Sequence, residues 1–434
     1  MSRAPTDGLR REQLQNGVTL LVQRRRAAPA VALATHVRAG FLDEPDELVG
    51  VSHVLEHMLF KGTPTLGPGE LARRTKALGG SLNAFTSYDQ TVYIASAPAR
   101  HVAALAALQA DQVRRPLLDA DELRRELGVI IQEARRKLDT PGAVAGETLH
   151  ELLYSTHRIR RWRIGTEAAL EALQRDDVAG YYASRYVPAR TIVSLVGDVD
   201  EAAALDTLRT NWSDWPATPA TIPPGPPELA PSALAARRLS GDVALAQLVL
   251  GWRAPGVLDA EIPAFDLVAA ILGSGRASLL GRRLRDPGVV NAIGASTYGV
   301  VDAGVFSIGA ELDADRIDAA TRVIAATMRD FAVREPAAAE FDRARGLLLA
   351  RMARRLESFE SRALALADAE AYGDVTRLDR EAAELLAVTP AAARRVVSRW
   401  LDVATMAAVA YLPGTSSVGF DADRLRELVT EAPG

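Results

Sequence analysis

Apolar residues recur along the chain in two rhythms. Short aliphatic and β-branched runs at 31–40, 191–198, 246–254 and 406–414 read as strands. Two further strands fit 81–86 and 91–95, joined by the turn-forming stretch 87–90. Helical spacing appears elsewhere: Leu123, Leu127, Ile130, Ala134 and Leu138 form one stripe, and 50–60 reads as a helix with Gly50 and Ser52 near its start. The runs at 31–40 and 191–198 bracket Ala/Leu/Arg-rich helical segments, and the runs at 246–254 and 406–414 bracket another such set. That repeated order predicts an α+β fold of two related halves, each a mostly antiparallel sheet with helices packed on one face.

Between the halves lies a stretch with prolines at 216, 219, 223, 224, 226, 227 and 231. Proline fixes φ and lacks a backbone donor, so such a run acts as a semi-rigid spacer. The expected division is a first domain at 1–215, a Pro-rich linker at 216–231 and a second domain at 232–434.

The 434 residues, 48% hydrophobic and 24% charged, suffice for two domains with cores of their own. With 51 basic and 55 acidic residues the formal charge is −4, so no basic excess points to nucleic acid or an anionic membrane. Cysteine is absent, which removes disulfides, thiolate metal sites and cysteine nucleophiles. No apolar run is long enough to span a bilayer, and the first residues lack the apolar core of a secretory signal. The expected compartment is the cytoplasm, or the periplasm if a signal has been removed. Lysine occurs only at 61, 76 and 137, a bias towards arginine that reads as genome composition.

The chemistry concentrates at His53-x-x-Glu56-His57. Residues four apart stack on one helix face, so the two imidazoles can point at one metal ion, with Glu56 beside it. With only six histidines in the chain, this pattern arises rarely by chance. The order reverses the more common zinc-helix motif. A catalytic zinc has three protein ligands and one open position, so a third ligand must come from another element. The helix beginning near Asp119 offers Glu126 and Glu133, seven apart and therefore on one face. Glu122 is also present there, and spacing alone does not choose among these.

The motif, followed 76 positions after His57 by Glu133, resembles the pitrilysin/insulinase family of zinc metallopeptidases, which includes the mitochondrial processing peptidases and their bacterial relatives. Matching segments are 50–63, 79–86, Gln132-Glu133, and Tyr186-Val187-Pro188 leading into 196–199. The resemblance implies that His53, His57 and Glu133 bind Zn2+ and that Glu126 orients a ligand from behind. It implies that Glu56 is the general base of a zinc-activated water in peptide hydrolysis. It places the strand of Asn83, Ala84, Phe85 and Thr86 beside the metal as a docking edge for short or unfolded peptides.

The second half departs from the family pattern. The family carries an Arg and a Tyr there that reach the substrate; here Leu279 and Ala292 stand at those positions, with Arg276, Arg282, Arg283 and Tyr298 nearby. The departure implies the zinc-bearing member of a heterodimer whose homologous partner supplies Arg and Tyr, with a homodimer or monomer as the alternative. The rival from another class is a catalytically silent assembly or scaffold subunit of the same fold.

Overall fold

The computed structural model describes residues 4–219, 225–230 and 232–431; within the Pro-rich run, 220–224 and 231 lie outside the described residues. Among the described residues, eleven strands form two sheets. Those of the first are β1 (Leu9–Gln13), β2 (Thr19–Arg24), β3 (Ala30–Val37), β4 (Ser81–Thr86), β5 (Thr91–Pro98) and β6 (Thr191–Gly197), in the order β1-β2-β6-β3-β5-β4. The second holds β7 (Ala235–Gly241), β8 (Ala246–Ala254), β9 (Ala292–Gly299), β10 (Gly304–Leu312) and β11 (Ala407–Pro413), in the order β7-β11-β8-β10-β9. Each sheet contains one parallel pair, β2–β6 and β7–β11; the other pairings are antiparallel. The α+β class and the mostly antiparallel sheets are as expected. Among the described residues no helix is long and apolar enough to cross a membrane.

The chain packs as two compact units that are discontinuous in sequence. Unit one takes the described residues of Met1–Ala134, Trp162–Gly225 and Ala353–Arg380; unit two takes those of Arg135–Arg161, Pro226–Met352 and Glu381–Gly434. Each sheet therefore meets a helix from the far side of the Pro-rich run.

In unit one, Leu20, Leu33, Tyr93 and Leu195 face a core shared with the Val51–Met58, Val102–Arg114, Ala120–Leu138 and Glu201–Trp212 helices. The opposite face of the same sheet, carrying Leu21, Ala32, Ala34, Val92, Ile192 and Val196, packs on the Phe359–Ala371 helix. That helix is tied down at its end: Arg11 donates to Glu370 at 2.7 and 3.0 Å, and the Tyr372 hydroxyl donates to Asp89 at 2.9 Å. In unit two, Leu248, Leu250, Trp252 and Phe306 face the Ile262–Gly273, Ile317–Val333 and Pro390–Trp400 helices. The other face lies under the Pro141–Leu153 helix, so closely that a Cβ on Gly251 would sit 2.6 Å from Leu149. The expectation of helices on one face thus needs extending: each sheet also carries one helix on its second face. Strands buried on both sides lose the period-two alternation of a half-exposed sheet, and β3 and β6 are buried at nearly every position.

His36 shows what two-sided burial does to a titratable group. It sits on β3, is 2% exposed, and burial together with the nearby Arg38 charge pushes its imidazole down to about 3. An unfolded histidine titrates near ~6.5. Between these values the unfolded chain binds a proton that the fold refuses, so this group's contribution is present above ~6.5 and is lost as pH falls. Stability should therefore drop by up to about 1.4 kcal/mol per pH unit from this residue as pH falls from ~6 to ~4. Urea unfolding of wild type and His36→Leu at pH 7, 6 and 5 checks this; identical pH slopes in the two proteins would contradict it.

Candidate active site

The Val51–Met58 helix begins where Gly50 adopts φ +99°, a left-handed conformation that suits glycine. A Cβ there would also lie 2.8 Å from the Ile164 carbonyl oxygen. The first turn is held from upstream rather than by Ser52: Glu44, 1% exposed, accepts from the Gly50 and Ser52 amides, both at 2.9 Å. A carboxylate at a helix N-terminus satisfies free amides and complements the helix dipole. Val51, Val54, Leu55 and Met58 turn into the core. His53 and His57 lie on the remaining face with ring centroids 4.6 Å apart.

The Ala120–Leu138 helix approaches from the other side of the site. Asp119 caps it by accepting from the Asp121 and Glu122 amides at 2.9 and 3.0 Å, while the Glu122 side chain pairs with Arg125 and takes no part in the site. Leu123, Leu127, Ile130 and Ala134 are buried as the stripe requires, but Leu138 is 51% exposed, so the stripe ends one turn early.

Glu126 and Glu133 do share a face and do different things. Glu133 Oε1 lies 3.8 Å from His53 Nε2, and Glu133 Oε2 lies 3.8 Å from His57 Nε2. Glu126 reaches the other side of His57, with Oε1 2.8 Å from Nδ1. Burial alone would push Glu126 up, but the hydrogen bonds from Lys61 and His57 outweigh it and hold its carboxyl below the usual range. An ionised carboxylate only accepts, so His57 Nδ1 donates to Glu126, and Nε2 is the ring nitrogen that faces Glu133.

One donor atom each from His53, His57 and Glu133 lie within 4.8 Å of one another. Two ligands held ~2.0–2.1 Å from a tetrahedral zinc are about 3.4 Å apart, close to the 3.8 Å measured between the imidazoles and Glu133. Two neutral imidazoles and a carboxylate are also a donor set that zinc accepts, so the residues fit the ion.

Glu56 stands beside this cluster, 8% exposed. Burial pushes its carboxyl above the usual carboxylate range and Glu133 adds to the push, while the Thr86 hydroxyl and His57 draw it back. Thr86 Oγ1 donates to Glu56 Oε2 at 2.6 Å. Thr86 is thus engaged with Glu56, an arrangement that sequence spacing did not reveal. Its strand, β4, is the outer strand of the unit-one sheet, bonded on one side to β5. Asn83 and Phe85 are exposed on it and Ala84 is half-buried.

In unit two, Leu279 packs against the core and Ala292 opens β9, the outer strand of that sheet. Of the nearby arginines, Arg282 pairs with Glu340, and Arg283 donates to Thr327 at 2.9 Å and to Asp330 at 3.3 Å. Tyr298 is 39% exposed on β9.

Two family models match the chain. Insulinase (Peptidase family M16) matches residues 19–167, and the Peptidase M16 inactive domain matches 172–348. The chain belongs to the pitrilysin/insulinase family. Its M16 relatives include the uncharacterized zinc protease YmxG of Bacillus subtilis, 30% identical over 46% of this chain and 48% of that protein. This chain therefore matches about half the length of that relative. An uncharacterized zinc protease of Mycobacterium bovis is 26% identical over 92% of each chain. A protease from Helicobacter pylori of known crystal structure has the same fold, with a TM-score of 0.87, 22% identity, and coverage of 93% of this chain and 99% of that one.

Proposed function

We propose that this chain is a zinc-dependent endopeptidase acting on short or unfolded peptides. The observation that carries the proposal is the convergence of His53, His57 and Glu133 on one point, with the buried Glu56 beside it. The zinc proteases among its relatives support the same reading. A zinc ion held by those three residues supplies Lewis acidity, which polarises a peptide carbonyl and acidifies water.

The chain's own residues supply the rest. Glu56 accepts the proton of the attacking water and returns it to the leaving amine. Its raised affinity for that proton follows from burial. Thr86 holds one Glu56 oxygen, which leaves the other to face the water. Glu126 fixes the His57 tautomer from behind. An extended peptide adds to the free edge of β4 by main-chain hydrogen bonds, past Asn83, Ala84 and Phe85. A folded protein offers no such strand, hence the preference for unfolded or short substrates.

Leu279 and Ala292 have hydrocarbon side chains and donate no hydrogen bonds, and Arg282 and Arg283 are committed to partners in unit two. The proposal therefore includes a homologous partner chain that supplies an Arg and a Tyr. A lost donor at a developing oxyanion costs about 10²–10³ in rate. A silent scaffold subunit has no need of an intact ligand set, and this chain retains one.

The test measures zinc and peptide hydrolysis on one purified sample, alone and with a homologous M16 chain that lacks the His-x-x-Glu-His motif. The expected result is one zinc per chain, lost in His57→Ala, with weak hydrolysis that rises ~10²–10³-fold on adding the partner. Equal zinc in both proteins would remove the metal site. Full activity without any partner would remove the heterodimer.

A further inference from the structure

Lys61 lies one helical turn beyond His57, just past the helix end, and its ammonium pairs with Glu126 Oε2. Glu126 Oε1 meanwhile accepts from His57 Nδ1 at 2.8 Å. We propose that Lys61 is a positioning residue for the metal centre: it pins Glu126 so that His57 presents Nε2 towards Glu133. The inference rests on the zinc reading above and adds a residue to it.

Two observations support it. The lysine is built in: its amide donates to the Met58 carbonyl at 3.0 Å, Gly62 follows at φ +120°, the Gly62 carbonyl accepts from the Leu117 amide at 3.0 Å, and Thr63 donates to the buried Asp111. The backbone that launches the side chain is thus fixed to the Val102–Arg114 helix and to the segment after it. Secondly, both oxygens of Glu126 are committed, one to Lys61 and one to His57, so the carboxylate has one orientation in which both bonds form. Its side chain is 9% exposed, and that of Lys61 28%; a charge pair so shielded is stronger than one at the open surface. Lysine is also one of only three in a chain whose other cations are arginine. A compact ammonium reaches a single carboxylate oxygen without the bidentate fork of a guanidinium, which would compete for the oxygen that His57 uses.

Groups behind metal ligands typically change metal affinity by ~10–100-fold when removed. Zinc dissociation constants, measured by chelator competition, should therefore rise ~10–100-fold in Lys61→Met. In a Glu126→Gln background the same substitution should change affinity by no more than about twofold, because the route through Glu126 is already cut. Melting of the zinc-free proteins is recorded alongside, and Lys61→Gln reads the same quantity if the Met variant fails to fold. Unchanged zinc affinity in the folded variant, or an equal loss in both backgrounds, would overturn the role of Lys61. Failure of the underlying metal site looks different: wild type itself would then bind no zinc, or His57→Ala would bind it equally.

Discussion

Glu56→Gln should lower peptide turnover by ~10²–10⁴-fold while leaving zinc content and the melting midpoint as in wild type. The size follows from removing a positioned general base. Glutamine keeps the shape of the side chain, but the lone pair of its amide nitrogen is delocalised into the carbonyl and does not take up a proton. The fold should tolerate the change for two reasons. Thr86 Oγ1 donates to Glu56 at 2.6 Å, and the amide oxygen of glutamine can accept that bond in place of the carboxylate. Burial at 8% exposure disfavours charge at this position, so a neutral isostere removes no buried stabilising ion. Zinc should remain because Glu56 is not among the three converging donors. The measurement is kcat and KM for a quenched peptide, with zinc content on the same sample. A variant that cleaves at near wild-type kcat, after removal of any contaminating protease, would take the base role away from Glu56. A variant that loses its zinc would place Glu56 among the ligands instead.

The sequence was most legible where local periodicity carries the information. Four-residue spacing was enough to put His53 and His57 on one face, and the strand runs at 81–86, 191–198 and 246–254 each meet a strand in the structure. Glu133 needed the family resemblance, since Glu126 and Glu133 satisfy the same seven-residue spacing and only their distances separate them: one meets Nδ1 of His57, the other Nε2 of both histidines. Lys61 was not legible as part of the site, and Thr86 was legible as part of the docking strand but not as the partner of Glu56. Lys61 meets Glu126 across two elements far apart in sequence, and Thr86 meets Glu56 where β4 lies against the Val51–Met58 helix. The helices on the second faces left a weaker trace. Consecutive apolar positions in β3 and β6 announce two-sided burial, but no local pattern says which segment does the covering.

That covering leads to a second strong expectation: neither sequence half should fold without the other. A fragment of residues 1–219 contains every proposed zinc ligand but lacks the Phe359–Ala371 helix. Without it, Leu21, Val92, Ile192 and Val196 on the sheet lose their cover, Leu366 is absent, and Arg11 loses Glu370. Burying one such aliphatic side chain is worth ~1.5–3 kcal/mol, so five amount to about 8–15 kcal/mol. That matches the whole net stability of a typical domain, ~5–15 kcal/mol. The reciprocal fragment, 225–434, lacks the Pro141–Leu153 helix. Leu149 would no longer fill the space above Gly251, and the Tyr154 hydroxyl would no longer donate to the Gly304 carbonyl at 2.6 Å. Each fragment alone should therefore aggregate or melt without cooperativity. Produced together in one cell, the two should co-purify, melt as one species and bind one zinc, because the exchanged helices restore both sheets. The experiment compares gel filtration, thermal melts and zinc content for each fragment and for the pair. A 1–219 fragment that melts cooperatively by itself near the intact protein's midpoint, with its zinc in place, would show that the Phe359–Ala371 helix merely decorates a sheet already stable without it.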